Sequence, residues 1–370
     1  MIIFSVIIIA IISFTLGLYF ITKNNSNLLN QPVDLEECHQ LKFSGDNKIN
    51  LLFFSSKSVS EKYMNFLLKT SPFDKNINEF NFYYIDSYKP ECEIYQEQAI
   101  LCRGKEIINK AASCPYDFIF VIKENEDKFL RSAALNNIAT INSKHTLSVL
   151  THEFGHTLGN LAEEYLPATI PKGSKNCVKK CEDFPQEPNA IDGCYEGCSK
   201  SDYFRSIENG VMRTLNSNEY GIFNTGLIQE KINKEKSSIT GNAISDSNNK
   251  CSNQQFYLIK GKVKDNKLST SEKTLETGCA PKQGSGEYYY SIIKGGNQIA
   301  SSDFNPSLIY TDVQSETENQ IDGETYLQDE FYLAIPKIEN TDEIQILNND
   351  KEIQEIINLN ELTSYPCKIQ

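Results

Sequence analysis

His152 to Tyr165 reads HEFGHTLGNLAEEY, and this run decides how the rest of the chain is read. H-E-x-x-H on a helix puts two imidazoles one turn apart on one face, close enough to share a metal ion. The glutamate between them can then reach an attacking water. Here those residues are His152, His156 and Glu153. The chain has only four histidines in 370 residues, so two of them meeting at this spacing is informative. The bland alternative is a solvated helix face. Gly159, three residues past His156, stands where the extended form of the motif has a glycine that lets the helix stop and the chain turn back towards the metal. A straight helix cannot do this, because a residue two turns further on lies roughly 10 Å away along the axis. Three residues after that glycine, where the next ligand usually stands, is Ala162, which has nothing to offer a metal. Glu163 and Glu164 follow at once, and either carboxylate is an acceptable zinc ligand.

Outward from the motif, Leu147, Leu150, Phe154, Leu158 and Leu161 recur at helical spacing and predict a helix from Ser143 to Leu161, with Asn142 or Ser143 as N-cap. Upstream, INLLFF (49–54), FNFYYI (80–85) and DFIFVI (117–122) are continuous runs of strand formers, and Val59, Tyr63, Phe66 and Leu67 mark a helix between the first two. Strands alternating with helices imply a mixed α/β layer. LNNIATI (135–141) is either an edge strand able to pair with an extended peptide or an interior strand. Downstream of 250, QFYLIKGKV, GEYYYSIIKGG, EFYLAIPKI and DEIQILNNDKEI alternate strand formers with turn residues, the pattern of an all-β sandwich.

Length, at roughly 100 to 200 residues per domain, suggests two domains. The expected organisation is an anchor at 1–22, a tether at 23–47, a catalytic domain at 48–228, a polar linker at 229–250 and a β-sandwich-like domain at 251–370. The anchor reading rests on the absence of charge from Ile2 to Thr22, long enough to cross roughly 30 Å of hydrocarbon and lacking the basic front end and small-x-small site of a cleaved signal. Lys23 on its C-terminal side favours a cytoplasmic remainder, while eleven cysteines favour an oxidising one. A net charge of −13 without a basic run disfavours nucleic acid as a partner. Cys177, Cys181, Cys194 and Cys198 form a twin C-x3-C array. In a helical hairpin this array would give the disulfides 177–198 and 181–194; the competing reading is a second zinc site. His39 and His145 have no partner at ligand spacing.

LTHEFGHTLGNLAEEY (150–165) resembles the signature of the IgA-peptidase family of zinc endopeptidases, relatives of the metzincins, in which the motif also runs on into Leu-Ala-acid-acid-Tyr. INLLFFSSKSVSEKYMNFLL with FNFYYID, DFIFVI with RSAALNNIATIN, and NGVMRTL are similar to the family's opening strand, helix and strand, to the segment leading to its zinc helix, and to a Met-turn. The similarity spans about residues 48 to 225, and RSAA departs from the glycine-rich sequence expected there. The resemblance implies a metzincin-like α+β catalytic domain, Met212 beneath the metal, and zinc held by His152, His156 and an acid. Glu163, one residue past the usual ligand position and with a longer side chain than aspartate, is the expected third ligand, with Glu164 its competitor. Tyr220, shortly after the Met-turn, is either an oxyanion stabiliser or a packing aromatic.

The function these readings converge on is a membrane-anchored, extracytoplasmic zinc endopeptidase on the cell surface. It would hydrolyse protein or peptide substrates by a zinc-activated water, with Glu153 as general base. Two alternatives are a catalytically inactive peptide-binding or adhesion module on the same fold, and a structural envelope protein in which the motif is incidental.

Overall fold

The structure, a computed structural model, describes residues 35–238, 251–265, 267–281, 284–315, 320–348 and 350–359. Eight strands form its largest sheet: β1 (His39–Lys42), β2 (Ile49–Phe54), β3 (Phe80–Ile85), β4 (Phe118–Lys123), β5 (Ser132–Leu135), β6 (Ile138–Asn142), β7 (Leu308–Gln314) and β8 (Ile321–Leu327). Their order across the sheet is β1-β3-β2-β4-β6-β5-β7-β8. The middle, β3-β2-β4-β6, is parallel, while β1, β5, β7 and β8 run antiparallel to their neighbours. Parallel strands are covered on both faces, which is why β2, β3 and β4 are continuous apolar runs.

Successive side chains point to opposite faces, so one run feeds two cores. Leu51, Phe53, Phe82, Phe118 and Phe120 meet helices α1 (Lys57–Leu67), α3 (Ser148–Thr157) and α4 (Ile222–Ser238). Leu52, Phe54, Tyr83, Ile119 and Val121 meet the short helix α2 (Lys105–Ala111) together with Phe256, Leu258 and Ala334 from the C-terminal part. The protein is therefore a mixed α/β structure with a large sheet, followed by further all-β sheets. The latter are a three-stranded sheet (Gln255–Lys264, Lys267–Thr277, Glu330–Pro336) and a four-stranded one (Tyr288–Lys294, Asn297–Phe304, Glu343–Asn348, Ile353–Asn358). Ile259, Leu333, Tyr290 and Ile346 fill the space between these two sheets. From Glu36 onwards the described residues make one compact unit. Two strands from the C-terminal part, β7 and β8, leave the sandwich and extend the large sheet beside β5.

Several expectations change in detail. Helix α3 begins at Ser148, five residues later than the apolar spacing suggests, because Asn142 closes strand β6 and its Oδ1 accepts from the Lys144 amide to start a turn. Every residue of α3 is buried, so it has no solvated face at all. Of the candidate peptide-pairing stretch, Ile138–Asn142 is interior, and β5 is the strand beyond it. The start of the expected linker at 229 lies within α4, and residues 239–250 lie outside the described ones.

Ten cysteines form five disulfides among the described residues: 38–114, 92–102, 177–198, 181–194 and 251–279. The array at 177–198 thus has the disulfide pairing and not a second zinc. Its frame is not a helical hairpin but a β-hairpin of Tyr195–Cys198 and Lys200–Arg205, which Val178 joins through a bridge to Phe204. The expectation of a membrane partner and a single-pass membrane location is corrected: among the described residues no helix is long and apolar enough to cross a membrane. The run at 2–22 on which that expectation rested lies outside the described residues.

Candidate metal centre

Helix α3 lies against the sheet through Phe154, which packs on Phe73, Phe118 and Phe120. Its other side carries His152 and His156, whose rings stand 4.8 Å apart. The turn NGVMRTL runs beside it. The Val211 carbonyl accepts a hydrogen bond from His152 Nδ1 at 2.9 Å. Met212 is fully buried against Gly155, the last of the three residues between the histidines, where an added Cβ would stand 2.6 Å from Met212 Sδ. A side chain there would have to displace Met212. Tyr220 donates to the Thr151 carbonyl and packs on Phe73, so it acts as a buried structural aromatic.

After α3 the chain reverses, and the left-handed residue that does so is Asn160, at φ 50°, not Gly159. Gly159 serves the turn differently: a Cβ there would come 2.7 Å from the Gly155 carbonyl oxygen. The returning strand is held by a staple, in which Asn176 accepts from the Ala162 amide at 2.7 Å and donates to the Ala162 carbonyl at 2.9 Å. Ser199 donates to the Glu163 carbonyl at 2.6 Å, and the Glu164 amide donates to the Met212 carbonyl at 2.9 Å. Glu163 is thereby turned inward, its carboxylate 2.8 Å from His156 Nε2 and 3.5 Å from His152 Nε2. Glu164 points the other way, accepting from Asn224 at 2.8 Å and Asn176 at 3.2 Å.

The structure adds a residue that sequence reading missed. Asp312, on β7, places Oδ2 3.3 Å from His152 Nε2, and its other oxygen accepts from the Tyr165 hydroxyl at 2.9 Å. Tyr310, two residues earlier and so on the same strand face, stacks on His156 with ring centroids 3.9 Å apart. His152, Glu153, His156 and Asp312 each offer a ligand atom within 4.8 Å of the others. The signal in the sequence is an acid inside the strand-like run LIYTDVQ (308–314), since buried strand acids are uncommon. Nothing in the run says that it meets a helix some 150 residues earlier.

His152, Glu153, Glu163 and Asp312 have no solvent exposure and His156 has 4 %. The donor set fits a cation. His156 Nδ1 donates to the Leu161 carbonyl at 2.8 Å and His152 Nδ1 to the Val211 carbonyl, so the Nε2 atoms, 3.1 Å apart, face each other and are the ones that can ligate once His152 has given up its second proton. Both oxygens of Glu153 and of Glu163, and Asp312 Oδ2, have no hydrogen-bond partner although buried. Uncompensated burial of such groups is costly, and a divalent ion would relieve it for the oxygens it binds. The donor separations of 2.8 to 3.5 Å bracket the edge of about 3.3 Å that a tetrahedron with bonds of about 2.0 to 2.1 Å would have.

Burial and the neighbouring charges set the protonation of these groups. Burial alone lowers His152, but the Glu163 and Asp312 carboxylates outweigh it and push it up to about 9. Burial, reinforced by the neighbouring His152, pushes His156 down to about 3. Burial and then repulsion from Asp312 hold both Glu153 and Glu163 well above the usual carboxylate range. Asp312 is desolvated as well, but attraction to His152 wins and lowers it. His39 and His145 stay apart from this centre: His39 stacks on Tyr84, and His145 shares a hydrogen bond with the Ser132 hydroxyl at 3.0 Å. In comparisons with known proteins, no family model matches the chain and no curated protein is significantly similar to it.

Proposed function

We propose that this chain is a zinc-dependent endopeptidase, with His152, His156 and Glu163 holding the ion and Glu153 as general base. The carrying observation is the convergence of two Nε2 atoms and the Glu163 carboxylate beside a second, unpartnered carboxylate on the helix that carries the histidines. Two imidazoles and a carboxylate are the ligand set of a catalytic zinc site, and the ion, when bound, supplies Lewis acidity at a carbonyl and at water. The chain's own residues do the rest. The Val211 and Leu161 carbonyls fix the tautomer and ring plane of each histidine. Glu153, one residue along the helix from His152, takes a proton from the attacking water and returns it to the leaving amine. The unpaired β5 edge that this sheet would have without β7 suits an extended peptide, which would pair with its main chain. The five disulfides support work in an oxidising setting outside the cytoplasm.

Metal content and peptide hydrolysis of the full chain, measured together, test this reading. Glu153→Gln should keep the metal and lose hydrolysis by at least about a thousandfold, since it removes the proton acceptor and leaves the ligands. In any parent that hydrolyses peptides, a Glu153→Gln change that leaves the rate as it was removes Glu153 from the mechanism.

A further inference from the structure

The reading of the site as a peptidase centre leaves strand β7 unexplained. β7 lies antiparallel along β5, with Ile309 opposite Leu135, Tyr310 opposite Ala134, Thr311 opposite Ala133 and Asp312 opposite Ser132. Main-chain pairing of this kind is how an extended peptide is added to a sheet edge. Tyr310 and Asp312 share one face of the strand; Tyr310 covers His156, and Asp312 reaches the Nε2 side of His152. Asp312 Oδ2 is buried with His152 Nε2 3.3 Å away, which places it where a cation held by His152 would lie. The strand and its surroundings leave the centre sealed from solvent.

We propose that β7 is a substrate-like plug supplied by the protein itself, with Asp312 as a fourth metal ligand that closes the position an attacking water needs. The form described is therefore latent, and hydrolysis requires β7 to leave β5. A peptide substrate would then occupy the same track, antiparallel to β5, with its scissile region opposite Ser132. The plug is firmly seated: Arg131 pairs with Asp322 at 3.0 Å and Glu324 at 3.5 Å, the Ile321 amide donates to the Arg213 carbonyl at 2.7 Å, and the Leu215 amide donates to Gln314 at 2.7 Å. Gly323 is the point at which it can be dislodged. It faces Asp312 on β8, and a Cβ there would come 2.2 Å from the Tyr165 hydroxyl, 2.4 Å from Asp312 Oδ1 and 2.5 Å from the Thr311 carbonyl oxygen.

The test uses the full chain loaded with Co²⁺, as wild type, Gly323→Val and Asp312→Lys, and follows two readouts: the visible spectrum on titration with acetohydroxamate, and hydrolysis of an unfolded protein such as casein. The wild-type spectrum should not respond to acetohydroxamate, whereas both variants should respond and hydrolyse casein at least tenfold faster. A wild-type spectrum that shifts at the concentrations that shift the variants overturns the plug, and this arm needs no variant to fold. Folded, Co²⁺-loaded variants whose spectra stay silent overturn it too. Variants that bind acetohydroxamate without cleaving casein uphold the plug and count against the peptidase reading instead. A wild type that binds no metal brings down both.

Discussion

Glu164 shows how a single buried acid can be structural while its neighbour faces the candidate metal site. Its burial pushes it up from 4.5 to about 7, although Asn224 and Asn176 donate to it and favour its charged form. Between those two pH values the unfolded chain has released a proton that the folded chain keeps. The contribution of this residue to stability is therefore full below about 4.5 and lost as pH rises through about 7. Glu164→Gln keeps an acceptor for both asparagines and abolishes the titration. Thermal unfolding of the metal-free protein should show a smaller fall in Tm from about pH 4.5 to about pH 7 for the variant than for the wild type. Identical pH slopes would mean that Glu164 is already ionised in the fold. His152, raised to about 9, titrates in the opposite sense for metal binding, since its proton must leave before Nε2 can ligate. Metal affinity should accordingly weaken by at least about tenfold for each pH unit below about 9, more where the raised Glu163 carboxyl must also give up a proton, a slope that chelator competition between pH 6 and 8 measures. A pH-independent affinity would contradict the assignment of His152 as ligand.

At the scale of elements, the disulfide 177–198 and the metal loop belong together. Asn176 and Ser199, next to its two cysteines, hold the backbone of Ala162 and Glu163. Replacing both cysteines by alanine should lower stability by roughly 3 kcal/mol and also speed metal loss. The 251–279 bond, with Cys279 hydrogen-bonded to the Ala112 carbonyl, serves the other side of the sheet. Its removal should cost comparable stability and leave metal retention unchanged. Chemical denaturation, together with transfer of the metal to a chelator, distinguishes the two. What the sequence revealed follows the same division. Continuous apolar runs identified β2, β3 and β4 because both faces of a parallel sheet are covered, and H-E-x-x-H marked the side of α3 on which the two histidines meet because its geometry is local. The start of α3 was misplaced because the apolar periodicity runs on through residues that tertiary contacts hold in a turn. Ser148 and Thr146 donate their hydroxyls to the Leu215 carbonyl, a partner that no local pattern announces.

At the scale of the whole molecule, the C-terminal strands do more than form a sandwich. Phe256, Leu258 and Ala334 close the second face of the large sheet, and β7 and β8 lengthen that sheet, bringing Asp312 to the centre. Local patterning could announce strands at 308–314 and 321–327 but not their partner, since pairing across such a separation depends on which edge is left open. The central claim remains the metal centre itself. Its most direct test is the divalent-metal affinity of the full chain by chelator competition at one pH, comparing wild type, Glu163→Ala and Glu164→Gln. One ion per wild-type chain is expected, held at least about tenfold more weakly by Glu163→Ala and with little change by Glu164→Gln. A wild type that binds no ion, or a Glu163→Ala protein that holds it as tightly as the parent, contradicts the account.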